Sequence, residues 1–474
     1  MRRRDFLISS AVFLSACTTG ANKIDLSDNE FDKILDDIER RTFNFFWETT
    51  NPETGLTPDR YPSPSASSVA GVGFALASYP YAATRGYISQ DQAKERTLTT
   101  LRFLLGLKQG PEPRGNAGYK GYFYHFLDTK TGERLAKCEL SSIDTALLMG
   151  GVLFAGDYWS GDNDAEAEIR KLSRDLFNRV EWSFMLNESG RLSMGWHPED
   201  GFIVSDWHGY NEAMLLYIMA MGAENHFLSA EAWGRWSETY PNSWGNYDGY
   251  EHLIFAPHFG HQYSHIFIDF KNIQDDYNRT KGIDYFENTR RATYAQREYG
   301  IKNPLSWKGY SAQNWGITAC DGPIDKEFDY MGQKRRFITY AGRGAGLYPD
   351  GRNTFDDGTI APTAAIASLP FAPDIVKEAM VYMYKTHGKY IYSQYGFLDS
   401  FNQSFQYDIP VQHGKVIKGF GWVDGDYLAI DQGPILLGIA NYKNQFIWDI
   451  MRNNAVLRRG LVKAGFKGGY LDAK

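Results

Sequence analysis

Three histidines stand within eight residues in HFGHQYSH, residues 258–265, with His261 and His265 four apart. On a helix that interval turns two imidazoles to one side, as in the zinc pattern H-E-x-x-H, where the Glu between them activates a metal-bound water. Here the Glu position is Gln262, whose amide cannot take up a proton. His258 and His252 offer a third ligand, but nothing supplies a base, so no metal is expected at this block.

Carboxylates give a stronger signal. Glu139 and Asp144 lie around CELSSIDT, Asp206 and Glu212 around SDWHGYNEA, and Asp424, Asp426 and Asp431 around DGDYLAIDQGP. Any one of them reads equally as a helix cap or a first-turn acid favoured by the helix dipole. Glu139, Asp144, Glu212 and Asp431 stand out because they sit in or against apolar helical runs, where an unpaired carboxylate is costly unless it lines a wet cavity. Two carboxyls facing each other, one protonated and one ionised, are what cleavage of a glycosidic bond requires. Glu212, flanked by Trp207 and Tyr210, is expected as the acid, because an apolar setting raises a carboxyl pKa. Asp431, in the more polar company of Asp424, Asp426 and Gln432, is expected as the base, with Asp144 as the next choice.

Elements that position such groups recur along the chain. Segments such as DNEFDKILDDIERRTFNFFWE, SQDQAKERTLTTLRFLLGL and DAEAEIRKLSRDLFNRV carry charges on one side of a helical period, as do DYFENTRRATYAQREYG and PDIVKEAMVYMYKTHG. Between them lie ASSVAGVGFALASYPYAA, SSIDTALLMGGVLFAGDYW, NEAMLLYIMAMGA, APTAAIASLPF and DYLAIDQGPILLGIANY, nearly free of Lys and Arg. Alternation of wet and covered helices predicts an all-α fold, a single (α/α)6 barrel or toroid of helix hairpins, with short β-hairpins in the long loops. A βα barrel would need short Val- and Ile-rich runs before each helix, and these are mostly missing. The inner helices of such a toroid open at one mouth, where the acids would converge.

The 474 residues show no Pro/Ser linker or low-complexity tract, so one domain is expected over residues 25–474. A net charge of −7 gives no basic field, which argues against a nucleic-acid partner. GRGAGLYPDGRNTFDDGT has glycines but not the spacing of a phosphate loop, and no cofactor is expected. The start, MRRRDFLISSAVFLSACTTGANK, is basic, then apolar over a run short for a membrane span, then small before a cysteine. LSAC looks like a bacterial lipobox with Cys17 as the lipidated residue, which makes residues 1–24 a signal and tether. The expected location is the bacterial envelope, lipid-anchored at the outer membrane and facing the periplasm. Cys138 and Cys320 remain in the mature chain, and their pairing is left open.

SSIDTALLMGGVLFAG, HFGHQYSHIFIDF, NWGITACDGP, IAPTAAIASLPFAP, YGFLDSFN and YLAIDQGPILLGIANY resemble, in this order, the blocks of the glycoamylase-like domain family, which includes bacterial β-1,2-glucanases. The resemblance spans residues 30 to 456. It implies an (α/α)6 barrel and an inverting hydrolase of β-1,2-glucan or its oligosaccharides, endo-acting or releasing sophorose from an end. It places the acid on Glu212 and matches Glu139 and Asp144 to acidic positions near the scissile bond; the base is less clear, and Asp431 rests on the residue argument alone. It makes HFGHQYSH a cleft wall, with His258, His261, His265 and Gln262 bonding hydroxyls and Phe259 and Tyr263 stacking on rings. Asp321 in ACDGP and Asp399 in YGFLDSFN either bind sugar or cap helices. Trp47, Trp207 and Tyr210 are further candidates for stacking. Two alternatives stand: a non-catalytic glucan-binding outer-membrane lipoprotein, and a hydrolase of another glucan linkage.

Overall fold

The computed structural model describes residues 28–346, 348 and 354–472. The predicted tether, with Cys17, lies outside the described residues. Among the described residues no helix is long and apolar enough to cross a membrane.

The chain is rich in helices, joined by loops that carry two- to five-residue strands. Helices α1 (Asp28–Thr49), α2 (Val69–Thr84), α3 (Gln90–Gly106), α4 (Ser142–Tyr158), α5 (Asp164–Asn178) and α6 (Met214–Gly222) alternate between half-wet and covered. Polar residues start the outer ones: Ser89 and Gln92 form a reciprocal capping box on α3, and Asn163 caps α5. Every residue from Val69 to Ala82 is buried, because α2 meets α4 and the later helix Ala429–Asn444 on the inside and α3 and α1 outside. Its approach to α4 depends on two glycines. A Cβ on Gly73 would come within 2.4 Å of the Leu147 carbonyl oxygen, and one on Gly151 within 2.0 Å of the Gly73 oxygen.

The second half is less regular. It holds α7 (Glu231–Ser237), α8 (Tyr263–Phe267), α9 (Asp276–Lys281), α10 (Tyr285–Lys302), α11 (Pro362–Ile366), α12 (Pro373–Tyr382), α13 (Gly388–Ile391), α14 (Ala429–Asn444), α15 (Phe446–Met451) and α16 (Ala455–Lys463). Inner neighbours follow one another from α2 to α4, α4 to α6, α6 to α8, and α11 to α14, which returns to α2. The Gln262 side chain, donating to the Ala364 carbonyl at 3.0 Å, joins the α8 region to α11. Two of the predicted segments differ. Residues 361–371 contain only the five-residue α11, and the helix expected over 373–388 ends at Tyr382, giving way to a π-type turn at Met383–His387.

Three inner helices share an entrance device. Strand Ser67–Ser68 leads directly into α2, Leu140–Ser141 into α4 and Tyr427–Leu428 into α14. Each pairs with a strand from another loop: Phe126–Leu127, Gly195–His197 and Arg60–Tyr61, respectively. The backbone hydrogen bonds of these short ladders tie the loops to the helix N-termini, so residues on either side are held around one mouth.

Candidate functional site

Asp144 and Asp431 are each the third residue of their helix, α4 and α14. Glu212 differs from expectation: it sits in the turn two residues before α6, not inside the helix. Ser264 Oγ donates to the Glu212 carbonyl at 2.7 Å and accepts from the Leu215 N–H at 3.0 Å, which fixes that turn against α8. All three acids are buried.

A cavity of about 370 Å³ opens beside Asp144, lined by Asp59, Arg60, His125, Asp144 and Tyr340 together with Leu428 and Ile430. Tyr340 is 52% exposed, an aromatic ring standing at the rim of a set that is otherwise buried or half-buried. On one side of the cavity the His125 Nδ1 is 2.8 Å from Glu139 Oε1, and its Nε2 is 3.6 Å from Asp144 Oδ1. Burial alone would depress the imidazole, but Asp144 and Glu139 more than offset it and lift its pKa to about 9. His125 is therefore an imidazolium between two carboxylates. Ser141 Oγ donates to Asp144 Oδ2 at 2.5 Å. Burial, reinforced by the charge of Asp144, raises Glu212 to about 7, and Glu212 Oε2 has no hydrogen-bond partner among the described residues.

On the other side Arg60 donates to Asp321 Oδ2 at 2.6 Å and lies 3.6 Å from Asp426 Oδ2 and from Asp59 Oδ2. The Asp321 N–H donates to Asp399 Oδ2 at 2.8 Å. The carboxyls of Asp399 and Asp431 lie within hydrogen-bonding reach of each other. Burial, then Asp321, raises Asp399 to about 6; burial, then Asp399, raises Asp431 as well. Tyr263, whose hydroxyl donates to the Ile430 carbonyl at 3.3 Å, feels the charges of Asp431, Glu212 and Asp399, so the two sides meet around it.

Among the described residues three groups bring one ligand atom from each member to within 4.8 Å of one another: His125, Glu139 and Asp144; Asp321, His413 and Asp426; and Asp321, Asp399 and Asp424. In the second and third the guanidinium of Arg60 already faces Asp321, occupying the place of positive charge. In the first the imidazolium does the same.

Of the residues singled out in the sequence, Glu139, Asp144, Glu212, Asp321, Asp399 and Asp431 come together here. The others do not. His258, His261, Gln262 and His265 lie away from this mouth and bond mainly to core side chains, His258 and His261 lining a separate small cavity with His252 and Phe255, and His265 Nδ1 having no partner among the described residues. His258 Nε2 is 3.0 Å from Ser368 Oγ, His261 Nδ1 is 3.1 Å from the Tyr210 hydroxyl, His265 Nε2 is 3.0 Å from Thr289 Oγ1, and Gln262 donates to Ala364 and Ser368. Tyr210 stacks on Tyr285 with ring centroids 5.9 Å apart, and Trp207 donates its indole N–H to Ser142 Oγ at 2.9 Å, pinning α4 rather than offering a face to a ligand. Trp47 lies under Arg96, 4.4 Å from guanidinium carbon to ring centroid, between α1 and α3. Cys138 and Cys320 are free thiols. Sequence reading missed His125, Tyr340 and the pairing of Arg60 with Asp321. Arg60 and Asp59 follow the α1 loop without any periodic signal, and only the ladder to Tyr427–Leu428 brings them to the mouth.

Comparison with known proteins adds an independent line. The family described as "Putative glucoamylase" matches residues 204–455. A curated relative from Parabacteroides distasonis, named exo beta-1,2-glucooligosaccharide sophorohydrolase (non-reducing end), is 25% identical over 94% of this chain. The chain spans 59% of that relative's length. Among solved structures, an endo-beta-1,2-glucanase from Chitinophaga pinensis, in complex with sophorotriose and glucose, is similar with a TM-score of 0.78 and 26% identity, over 94% of this chain and 100% of the other. A Bacteroides uniformis structure that carries the same description as the family is similar with a TM-score of 0.78 and 27% identity, over 95% and 100%.

Proposed function

The chain belongs to the glycoamylase family, and from that premise we propose that it is a glycoside hydrolase of β-1,2-glucan or its oligosaccharides, built as an (α/α)6 barrel. The inner helix neighbours, six counting the short α8 and α11, support the barrel. The names of the Parabacteroides and Chitinophaga relatives support the linkage. The observation that carries the reading is the pair of opposed settings around Tyr263: a buried carboxyl with a free oxygen, Glu212, against the Asp399 and Asp431 carboxyls.

Glu212, with its pKa lifted to about 7, is protonated over the acidic and neutral range and donates to the leaving glycosidic oxygen. Asp144, beside it, raises its pKa and so holds the proton in place before transfer. Asp399 carries the negative charge on the opposite side, since its second oxygen accepts the Asp321 N–H and Arg60 stands beyond; it takes the proton from the attacking water. The water attacks in one displacement from the face opposite the leaving oxygen, so the anomeric configuration inverts. Tyr340, exposed at the rim, offers a flat face to a sugar ring.

The enzyme works, on this reading, from a lipid tether at Cys17 in the bacterial envelope, without nucleic acid as a partner. Incubating the full chain in detergent with linear β-1,2-glucan, and with β-1,3- and α-1,4-glucan as controls, tests the activity. Products only from the β-1,2 chain are expected, a single disaccharide from the start meaning end-wise release and a ladder meaning internal cleavage. No product from a folded protein would favour a glucan-binding lipoprotein. Loss of radiolabelled-lipid incorporation on Cys17→Ser tests the anchor.

A further inference from the structure

Asp399 and Asp431 come from different parts of the chain, the loop after Gly396–Phe397 and the first turn of α14, yet their carboxyls meet. Each has an oxygen for which no N–H or O–H donor exists among the described residues, Oδ1 of Asp399 and Oδ2 of Asp431, and both residues are 2% exposed. Two ionised carboxylates held so close and so dry repel strongly; one proton between them turns the repulsion into a short charge-assisted hydrogen bond.

The surroundings of the two are unequal. The Asp399 side has a fixed donor in the Asp321 N–H at 2.8 Å, and the Asp399 N–H itself is held by the Asp426 carbonyl at 2.9 Å. Two guanidiniums act on it, Arg60 through Asp321 and Arg343 through the Cys320 loop. The Asp431 side has neither. Its Oδ2 receives no donor among the described residues, while its backbone carbonyl takes the Thr363 hydroxyl at 3.1 Å. Charges from Asp59 and Asp321 face it, Asp424 beside Asp399 is itself held well above the usual carboxylate range by burial and by Asp399, and the neighbouring Tyr263 and Tyr340 are uncharged phenols. Negative charge is thus stabilised on Asp399 and the proton on Asp431.

We propose that Asp399 and Asp431 form a dyad with one shared proton, in which Asp431 is a positioning residue that keeps the proton and aims the charged oxygen of Asp399 into the cavity. The proposal rests on the reading of Asp399 as base, and it removes Asp431 from the role the sequence suggested. It also explains why an acid sits at the third position of an otherwise apolar helix.

Asp431→Asn is the informative variant, since an amide keeps the shape and still donates to Asp399. With the full chain in detergent and matched thermal melts, Asp431→Asn is expected to lower kcat on β-1,2-glucan three- to tenfold with KM unchanged. Asp431→Ala, with no donor, is expected to lower it about a hundredfold, and Asp399→Asn about a thousandfold. Loss in Asp431→Asn as deep as in Asp399→Asn would make Asp431 the base and overturn the proposal, and so would equal, mild effects of Asn and Ala. Infrared difference spectra at pH 7 in a Glu212→Gln background read the dyad without turnover: loss of protonated-carboxyl intensity on adding Asp431→Asn is expected, and identical spectra would overturn it. Should the wild type be inert on glucan, the assignment of function fails while the infrared result still decides the dyad.

Discussion

The histidine block at 258–265 and the carboxylate mouth are neighbours, joined by the Ser264 hydroxyl that holds the Glu212 turn, yet they solve burial in opposite ways. In the block nearly every polar atom is answered by another protein atom, and burial keeps the rings neutral, with His258 and His265 pushed down to about 3 and His252 to about 4. At the mouth, oxygens of Glu212, Asp399, Asp424 and Asp431 are buried without partners. Both regions are dense in titratable groups, so density alone does not mark a site. A cluster of buried carboxyl oxygens without partners does, because such groups are costly to keep unless something from outside completes them.

The sharpest way to break this contrast is to remove one group from each side. Glu212→Gln is expected to lower kcat by about a thousandfold while leaving the melting temperature unchanged or higher, since a neutral amide is less costly to bury than an acid. Assays on β-1,2-glucan paired with calorimetry read both numbers. Next in size is His258→Ala, expected to destabilise by about 1–3 kcal/mol through loss of its bonds to Ser368 and Thr293, with kcat and KM within twofold of wild type. A large kcat loss without destabilisation would place the block back in the cleft.

Acid separates the regions more finely. The block's histidines have native pKa values below their unfolded value near 6.5, so below pH 6.5 the unfolded chain takes up protons that the native chain cannot. Their contribution to stability is present above pH 6.5 and is lost as pH falls toward 3–4, at up to about 1.4 kcal/mol per pH unit for each histidine, as urea titrations at several pH values would show. Glu212 acts in the other direction on rate: its proton is lost as pH rises through about 7, so kcat is expected to fall on the alkaline side from there. The smallest effect belongs to Trp47→Phe, expected to leave kcat and KM unchanged and to lower the melting temperature slightly through loss of the Arg96 contact.

Most of the helical architecture was legible because it rests on periodicity. The charged stripes of α1, α3, α5 and α10 and the apolar runs of α2, α4 and α14 lie where the pattern put them. The pattern failed where elements are too short to have a period, as in α8, α11 and the turn after α12. Four carboxylates of the mouth, Glu139, Asp144, Glu212 and Asp431, were legible for a different reason: an acid in or against an apolar run is conspicuous in one dimension, whereas Asp321 and Asp399 lay in turns that read equally as caps. The sequence did not distinguish them from the histidines, which were equally conspicuous and turned out to be answered by Thr, Ser and Tyr side chains from distant segments.

By itself, then, the sequence determined which segments are helices with a wet or a covered face, and that acids stand at the starts of the covered ones, because both follow from the spacing of side chains along a single helix. Only the tertiary structure decided which polar groups are completed by the protein and which are left for a ligand. That outcome depends on contacts such as Arg60 with Asp321, 261 residues apart, and Glu139 with His125 on one wall of the cavity. A partner's identity is fixed by where loops are tied down, and the short ladders that tie them carry too few residues to leave a pattern in the chain.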